Sequence, residues 1–385
     1  MARNIKLQYK VNTHTTYLFC LLPTLKEFSL NLIGYQIFID VGKELIHMSI
    51  YLILMKYNET IMYHEIHEIP DTIKTKVLEW TVYERIAEKI KNSRIVYIIG
   101  SGTSFHASIV GEIYFLENNI PTIAVRAPEF ENFLIGNHDN VTAIFISQSG
   151  ESYDTIEALK YAKHNKIFTI GITNNERSTL ASDTDIPVIT GAGMERALAA
   201  TKSHIAQIIS LYMISCSISS PRTPLNMNEL SSEVKMFMKN EDKIMKLSEK
   251  IRGRIIILGN GLLHAVAMES ALKFEETSNR ITEAYPIGEY LHGPIQVLNN
   301  NDTVILMGSK NESYDRVKSK ISKITNNIVT IGDSHDNDIC LNLSLDKNIK
   351  IIFYLITIYL MANNLSIISG LNPDTPEKLT KVVKS

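Results

Sequence analysis

The chain has 385 residues, 39 of them basic and 41 acidic, for a formal net charge of −2; 45% are hydrophobic and 21% charged. This length leaves room for about two to three domains, and the composition is that of a soluble globular protein. The charge balance leaves no footprint for nucleic acid or an anionic membrane. Cys20, Cys216 and Cys340 lie far apart with no C-x-x-C pair, so neither a disulfide framework nor a zinc site is indicated, and a reducing cytoplasm fits best.

The first 61 residues stand apart from the rest. Apolar runs at 17–25, 28–41 and 45–55 are broken by charges or turn residues. None reaches about 18 uninterrupted apolar residues, so no spanning helix is expected there. The start "MARNIKLQYK" is basic, but no small-x-small cleavage site follows. Residues 1–61 are therefore read as an extension outside the catalytic unit, with a working start at Met55 or Met62.

From about residue 74 the pattern alternates. "TVYERIAEKIKN" reads as a helix and "RIVYIIG" as a buried strand. "FHASIVGEIYFLENN" is a helix, "PTIAVRA" and "VTAIFIS" are strands, "SYDTIEALKYAKHN" is a helix and "KIFTIGIT" a strand. Short β-branched runs between amphipathic helices predict an α/β fold with a doubly wound parallel sheet, helices on both faces, in three αβα layers. The pattern then recurs: "RIVYIIGSGTSFHAS" at 94 resembles "RIIILGNGLLHAV" at 254, and "ISQSGESYDT" at 146 resembles "MGSKNESYDR" at 307. Both offsets are close to 160 residues, which predicts a duplicated domain. The first copy is placed at 62–225 and the second at 240–370, with a tail at 371–385. The link begins Pro- and Ser-rich and turns helical.

The copies differ in their loops. Copy one carries Thr103 and Ser104 after its glycines, then Ser147, Gln148, Ser149, Gly150 and Ser152. Copy two carries Leu262 and Leu263, then Gly308, Ser309, Lys310 and Asn311. Ser- and Thr-rich turns between strand and helix present N–H groups, hydroxyls and the positive end of a helix dipole to an anion. One phosphate site per chain is therefore expected, on copy one. Helix capping is the plain alternative for either loop alone. A dinucleotide reading is weaker. Phe105 replaces the third glycine of G-x-G-x-x-G, and the next strand ends in "AVRAPEF", which offers Arg126 but no ribose-binding acid.

Taken in order, "GSGTSFHA", "SQSGESYDT", "GMERALAATKSHIAQ", "ALKFEETSNRITEAYPIGEYLHGP" and "NPDTPEKLTKVV" resemble the tandem sugar-isomerase (SIS) domains of glutamine–fructose-6-phosphate aminotransferase, over about residues 62–385. The resemblance implies a cofactor-free, metal-free phosphosugar isomerase of two SIS domains. It would act on hexose 6-phosphates and interconvert fructose 6-phosphate and glucosamine 6-phosphate by proton transfer between C1 and C2. The family's glutaminase domain uses an N-terminal cysteine; here the chain starts Met-Ala and its nearest cysteine is Cys20, so glutamine hydrolysis is not expected. Ammonia would come free or from a separate glutaminase. A sugar-phosphate sensor is the alternative, but sensors often lack the catalytic set.

By resemblance, Glu276 is the proton-transferring carboxylate and Lys273 its neighbour. Their i, i+3 spacing selects Glu276 over Glu275, although Lys-x-x-Glu usually marks a surface ion pair. His292, in "EYLHGP", matches the ring-opening histidine, which in the family reaches into the neighbouring subunit's site and so implies a homodimer; Glu289 would orient it. Imidazole titrates near neutrality, as that role needs. Lys381 matches the Schiff-base lysine, and Thr380 and Leu198 fall at further sugar-contacting positions. "ERALAATK" departs from the usual pattern around Leu198. His106 and His264 are read as equivalent positions of the two repeats with a structural role.

Overall fold

The computed structural model describes residues 5–11, 14–20, 58–75, 80–134, 136, 138–219 and 226–381. Strands β1 (Ile5–Val11) and β2 (His14–Cys20) pair as an antiparallel hairpin. Most of the 1–61 extension, including the apolar runs at 28–41 and 45–55, lies outside the described residues.

Two five-stranded parallel sheets follow. The first contains β3 (Ile95–Gly100), β4 (Thr122–Arg126), β5 (Val141–Ser147), β6 (Phe168–Thr173) and β7 (Ile186–Ile189), in the order β4-β3-β5-β6-β7. The second contains β8 (Ile255–Leu258), β9 (Thr282–Tyr285), β10 (Thr303–Met307), β11 (Ile328–Gly332) and β12 (Ile339–Cys340), in the order β9-β8-β10-β11-β12. Read within each copy, both orders are 2-1-3-4-5, so the duplication seen in the sequence is also a duplication of topology. The strand order reverses between the first and third strands of each sheet. At that switch point the loops at the carboxyl ends diverge and leave a crevice.

The helices used below are α1 (Ile61–His67), α2 (Ile69–Lys74), α3 (Trp80–Lys91), α4 (Thr103–Leu116), α5 (Tyr153–His164), α6 (Lys202–Ser219), α7 (Met227–Phe237), α8 (Glu241–Ser248), α9 (Leu262–Ser278), α10 (Glu312–Ile321) and α11 (Lys347–Ile368). The link that turns helical after its Pro-rich start supplies α7 and α8.

Side chains alternate across the strands, and the alternation divides the core. Val96, Ile98, Ile255 and Ile257 point into one continuous core that both domains share with α4, α6, α9 and α11. Tyr97 and Ile99 face a separate cluster outside the first sheet. Ile256 and Leu258 do the same outside the second. The sequences of α4, α6, α9 and α11 are apolar nearly all round, as helices buried between two sheets must be. Helix α11 is long and apolar enough to cross a membrane, with a mean hydropathy of 1.9, but 89% of that stretch is buried inside the protein. It is a core helix, and it packs against α9. The candidate site lies on the α4–α9 contact at the centre of this arrangement.

Candidate active site

Both first-strand loops make the same turn. Gly102 precedes α4 with φ 54° and ψ −128°, and Gly261 precedes α9 with φ 57° and ψ −124°. An L side chain rarely adopts this conformation. Two residues earlier the space is closed: a Cβ on Gly100 would lie 2.6 Å from the Ser104 backbone, and one on Gly259 2.4 Å from Leu263 O. These matches fix the register of the repeat. Thr103 corresponds to Leu262, Ser104 to Leu263 and Phe105 to His264. His106 and His264 are therefore not equivalent, and the reading that gave them a common structural role is corrected. The aligned "HA" pairs mislead because copy two is one residue shorter between its glycines and its histidine.

His106 instead enters a buried network between the domains. Its Nδ1 lies 2.7 Å from Glu269 Oε2 on α9. Lys273, one turn after Glu269, is 0% exposed. Its ammonium donates to Thr103 Oγ1 (3.0 Å) and Glu276 Oε2 (2.5 Å), and it lies 3.3 Å from Glu269 Oε1. Thr103 Oγ1 in turn donates to Glu269 Oε1 at 3.2 Å. All three ammonium protons thus have oxygen partners. This is not a surface pair. Burial disfavours the charged lysine, but Glu269 and Glu276 outweigh it and hold its pKa above the ordinary value. Burial likewise pushes the Glu269 carboxyl up, but Lys273, His204 and His106 hold it down at about 2. His204 on α6 lies 3.7 Å from Glu269, and its Nδ1 lies 2.6 Å from the Tyr359 hydroxyl on α11. Burial drops His204 to about 4.

Glu276 is the accessible end of this network, with its side chain 17% exposed. Among the described residues its second oxygen carries no hydrogen bond. Glu275 is exposed. An oriented carboxylate with one free oxygen, beside a buried ammonium, is suited to moving a proton on a bound molecule.

The two loops of the first domain meet at the switch point. Ser147 ends β5, and its Oγ accepts from Gly150 N and lies 3.1 Å from Ser152 Oγ. Ser149 Oγ accepts from Glu151 N. Gln148 holds the turn through its carbonyl, which accepts from Asn174 N. Ser104 Oγ accepts from Gln207 Nε2 of α6 at 3.1 Å. Neither α4 nor α5 receives a side-chain cap, although Ser152 stands at the N-cap of α5. Ser101 Oγ, Thr155 Oγ1 and Gln207 Oε1 are buried with no protein partner. The second domain is built differently. Leu263 approaches Gly308, Asn311 caps α10 through Tyr314 N, Ser309 bonds Asp333, and Lys310 bonds Asp336 at 2.6 Å. Its loop is consumed by capping and acids, which disfavour an anion.

The tail folds back on the first domain. Leu198 N donates to Asp374 O at 3.1 Å. Lys381 Nζ donates to Ala197 O and lies 3.6 Å from Glu195 Oε2. Thr380 is exposed. His292 ends a 3-10 turn, Glu289–His292, that is anchored by buried Tyr290 and closed by Gly293 at φ 146°. His292 and Glu289 are both exposed, and among the described residues His292 makes no side-chain hydrogen bond. Glu269, His204 and Glu195 are members that sequence reading missed. Glu269 alone left a signal, its i, i+4 spacing to Lys273.

A duplicated doubly wound α/β protein, with one hydroxyl-lined switch point and a buried acid–lysine network beside it, is thus defined. A family model described as SIS domain matches residues 89–216 and 249–369, and the chain belongs to that family. It is 31% identical over 339 residues to glutamine–fructose-6-phosphate aminotransferase of Aquifex aeolicus, and 29% over 337 residues to that of Methanothermobacter thermautotrophicus. Each match takes in 84% of this chain and 57% of the relative, so the chain spans little more than half the length of these relatives. The structure resembles the C-terminal domain of glucosamine-fructose-6-phosphate aminotransferase from Francisella tularensis (TM-score 0.71, 25% identity, 82% of this chain and 98% of that one). It also resembles glucosamine-6-phosphate deaminase from Thermotoga maritima (TM-score 0.70, 24% identity, 84% and 99%). The chain is homologous to the isomerase portion of the aminotransferases.

Proposed function

We propose that the chain interconverts fructose 6-phosphate and glucosamine 6-phosphate, running as a deaminase or an ammonia-dependent synthase, by proton transfer between C1 and C2. The observation that carries this reading is the Lys273 bridge. One buried ammonium joins Thr103 of the loop proposed to bind phosphate to Glu276, the carboxylate proposed to move the proton. Ser104, Ser147, Gln148, Ser149 and Ser152 would hold the phosphate, assisted by the uncapped amino ends of α4 and α5. The partnerless hydroxyls of Ser101 and Thr155 favour a polar occupant, since a buried polar group without a partner costs about 1–3 kcal/mol.

In this reading Glu276 takes the proton from one carbon and returns it to its neighbour through an enolamine, water adds to the resulting C2 imine and ammonia leaves (the synthase direction is the reverse), while the Lys273 ammonium holds Glu276 in place. Lys381 would engage the open ketose, with Leu198 and Thr380 beside it. His292 would open the sugar ring in the partner subunit of a homodimer, which accords with its exposure here. The chemistry calls for no metal or cofactor, and ammonia would be free or supplied by a separate glutaminase.

The test is to supply glucosamine 6-phosphate and assay ammonia and ketose phosphate, and separately to supply fructose 6-phosphate with ammonium and assay the amino sugar. Turnover in either direction supports the proposal. Binding without turnover would make the chain a sugar-phosphate sensor instead.

A further inference from the structure

The buried carboxylate of Glu65 belongs to none of the chemistry above. Glu65 lies on α1 and is 2% exposed. Its two oxygens accept from the backbone N–H groups of Arg196 (2.5 Å) and Ala197 (3.2 Å). The next N–H, that of Leu198, donates to Asp374 O in the tail. The Asp374 carboxylate then returns to α1, accepting from Ile61 N and Met62 N at 2.8 Å each. The links form a closed ring: α1, the 196–198 loop, the tail, and α1 again. Helix α1 is itself fixed to the core. Met62 and Ile66 are fully buried, and the Thr60 hydroxyl, which accepts from Tyr63 N, donates to Asn363 Oδ1 of α11 at 2.7 Å. Lys381 rests on the same loop at Ala197 O. A buried carboxylate is costly unless it is hydrogen-bonded, and here both oxygens serve the loop.

We propose that Glu65 is a positioning residue: through it α1 clamps the 194–198 loop to the 371–381 tail and so sets where Lys381 sits. Its consequence for catalysis rests on the function proposed above; the clamp itself does not.

The experiment is hydrogen exchange on the full chain, comparing wild type with Glu65→Gln, Glu65→Ala and Asp374→Ala. Asp374→Ala alters the tail rather than the core, so it keeps the test decisive if an α1 variant fails to fold. Losing one net hydrogen bond is worth about a tenfold change in opening. Exchange should therefore rise about tenfold or more in peptides covering 194–201 and 371–381, while peptides covering β3 and β5 stay at wild-type rates. Glu65→Gln keeps one acceptor and should be affected less than Glu65→Ala. In parallel, kcat/KM for the hexose 6-phosphate should fall about 10- to 100-fold, mainly in kcat, as misplacement of a reacting group predicts. Wild-type exchange in the tail peptides of all variants overturns the clamp. So does a rise spread evenly over the chain; a loosened tail with unchanged kcat/KM upholds the clamp and overturns its consequence for catalysis. If wild type turns over no hexose phosphate, the proposed function falls, and the exchange pattern alone still decides the clamp.

Discussion

Lys273 carries the tightest constraint of any side chain in the site. Its ammonium is enclosed by Glu269, Glu276 and Thr103 with no exposure to water. Removing one partner of a buried ion pair costs about 3–5 kcal/mol, because the other charge is left uncompensated. Lys273→Met should therefore lower the stability measured by chemical denaturation by about that amount, as well as inactivating the protein. A second residue-scale prediction concerns pH. His204 is held at about 4 in the fold by burial, against 6.5 when exposed. A histidine with a depressed pKa is neutral in the folded chain while the unfolded chain binds the proton. Stability is thus full above about pH 6.5 and is lost as pH falls toward 4, by roughly 3 kcal/mol. The Glu269 carboxyl, held down at about 2, adds a further loss only below the ordinary carboxylate range. Denaturation profiles of wild type should slope between pH 6.5 and 4, and those of His204→Asn should be flatter there. Of these residues the sequence exposed Lys273 and Glu276, because they share a helix face. His106 and His204 reach Glu269, and Tyr359 reaches His204, from three other elements, at separations no local spacing reveals.

At the scale of elements, the contrast between the two switch points decides where an anion binds. In the first domain Ser149 stands in a loop whose helix is left uncapped; in the second, Lys310 is paired with Asp336 and Asn311 caps its own helix. Ser149→Glu should abolish sugar-phosphate binding through repulsion and blockage, whereas Lys310→Glu should leave it within about threefold, since exposed pairs contribute at most about 1 kcal/mol. Isothermal titration with the hexose 6-phosphate reads both, and equal losses would contradict a single site per chain. The strands and helices around these loops were legible because the period of their apolar residues is strong and is repeated. The register of the repeat was less so: an aligned "HA" pair outweighed the glycines, and the matching backbone angles of Gly102 and Gly261, with the closed space at Gly100 and Gly259, restored it. The role of α1 was not legible at all, because a helix of seven residues gives no hint of which distant amides its one buried acid will meet.

For the whole molecule, the proposed working unit is a pair of chains. In the proposed mechanism Glu276 would act within its own chain, and exposed His292 would serve the partner. Glu276→Gln and His292→Asn should each be about 100- to 10,000-fold impaired alone. Mixed under conditions of subunit exchange, they form heterodimers with one intact and one doubly damaged site, and activity should climb toward half of wild type per heterodimer. Exchange without recovery would remove His292 from the partner's site. The duplication was readable in the chain, because it left a long pattern; the core that both domains share was not, and neither was the docking of the tail, because Leu198 and Asp374 meet through backbone atoms that carry no side-chain signature.

The central claim is that Glu276 moves a proton between C1 and C2 of a hexose 6-phosphate. It is tested most directly by following glucosamine 6-phosphate labelled with carbon-13 at C2 by NMR, with wild type and with Glu276→Gln. The account predicts that wild type converts the amine-bearing C2 signal into the anomeric C2 signal of fructose 6-phosphate, and that the variant binds the sugar but does so at least about 100-fold more slowly. A wild-type protein that binds the sugar and leaves the C2 signal unchanged, or a variant that converts it at the wild-type rate, would contradict the claim.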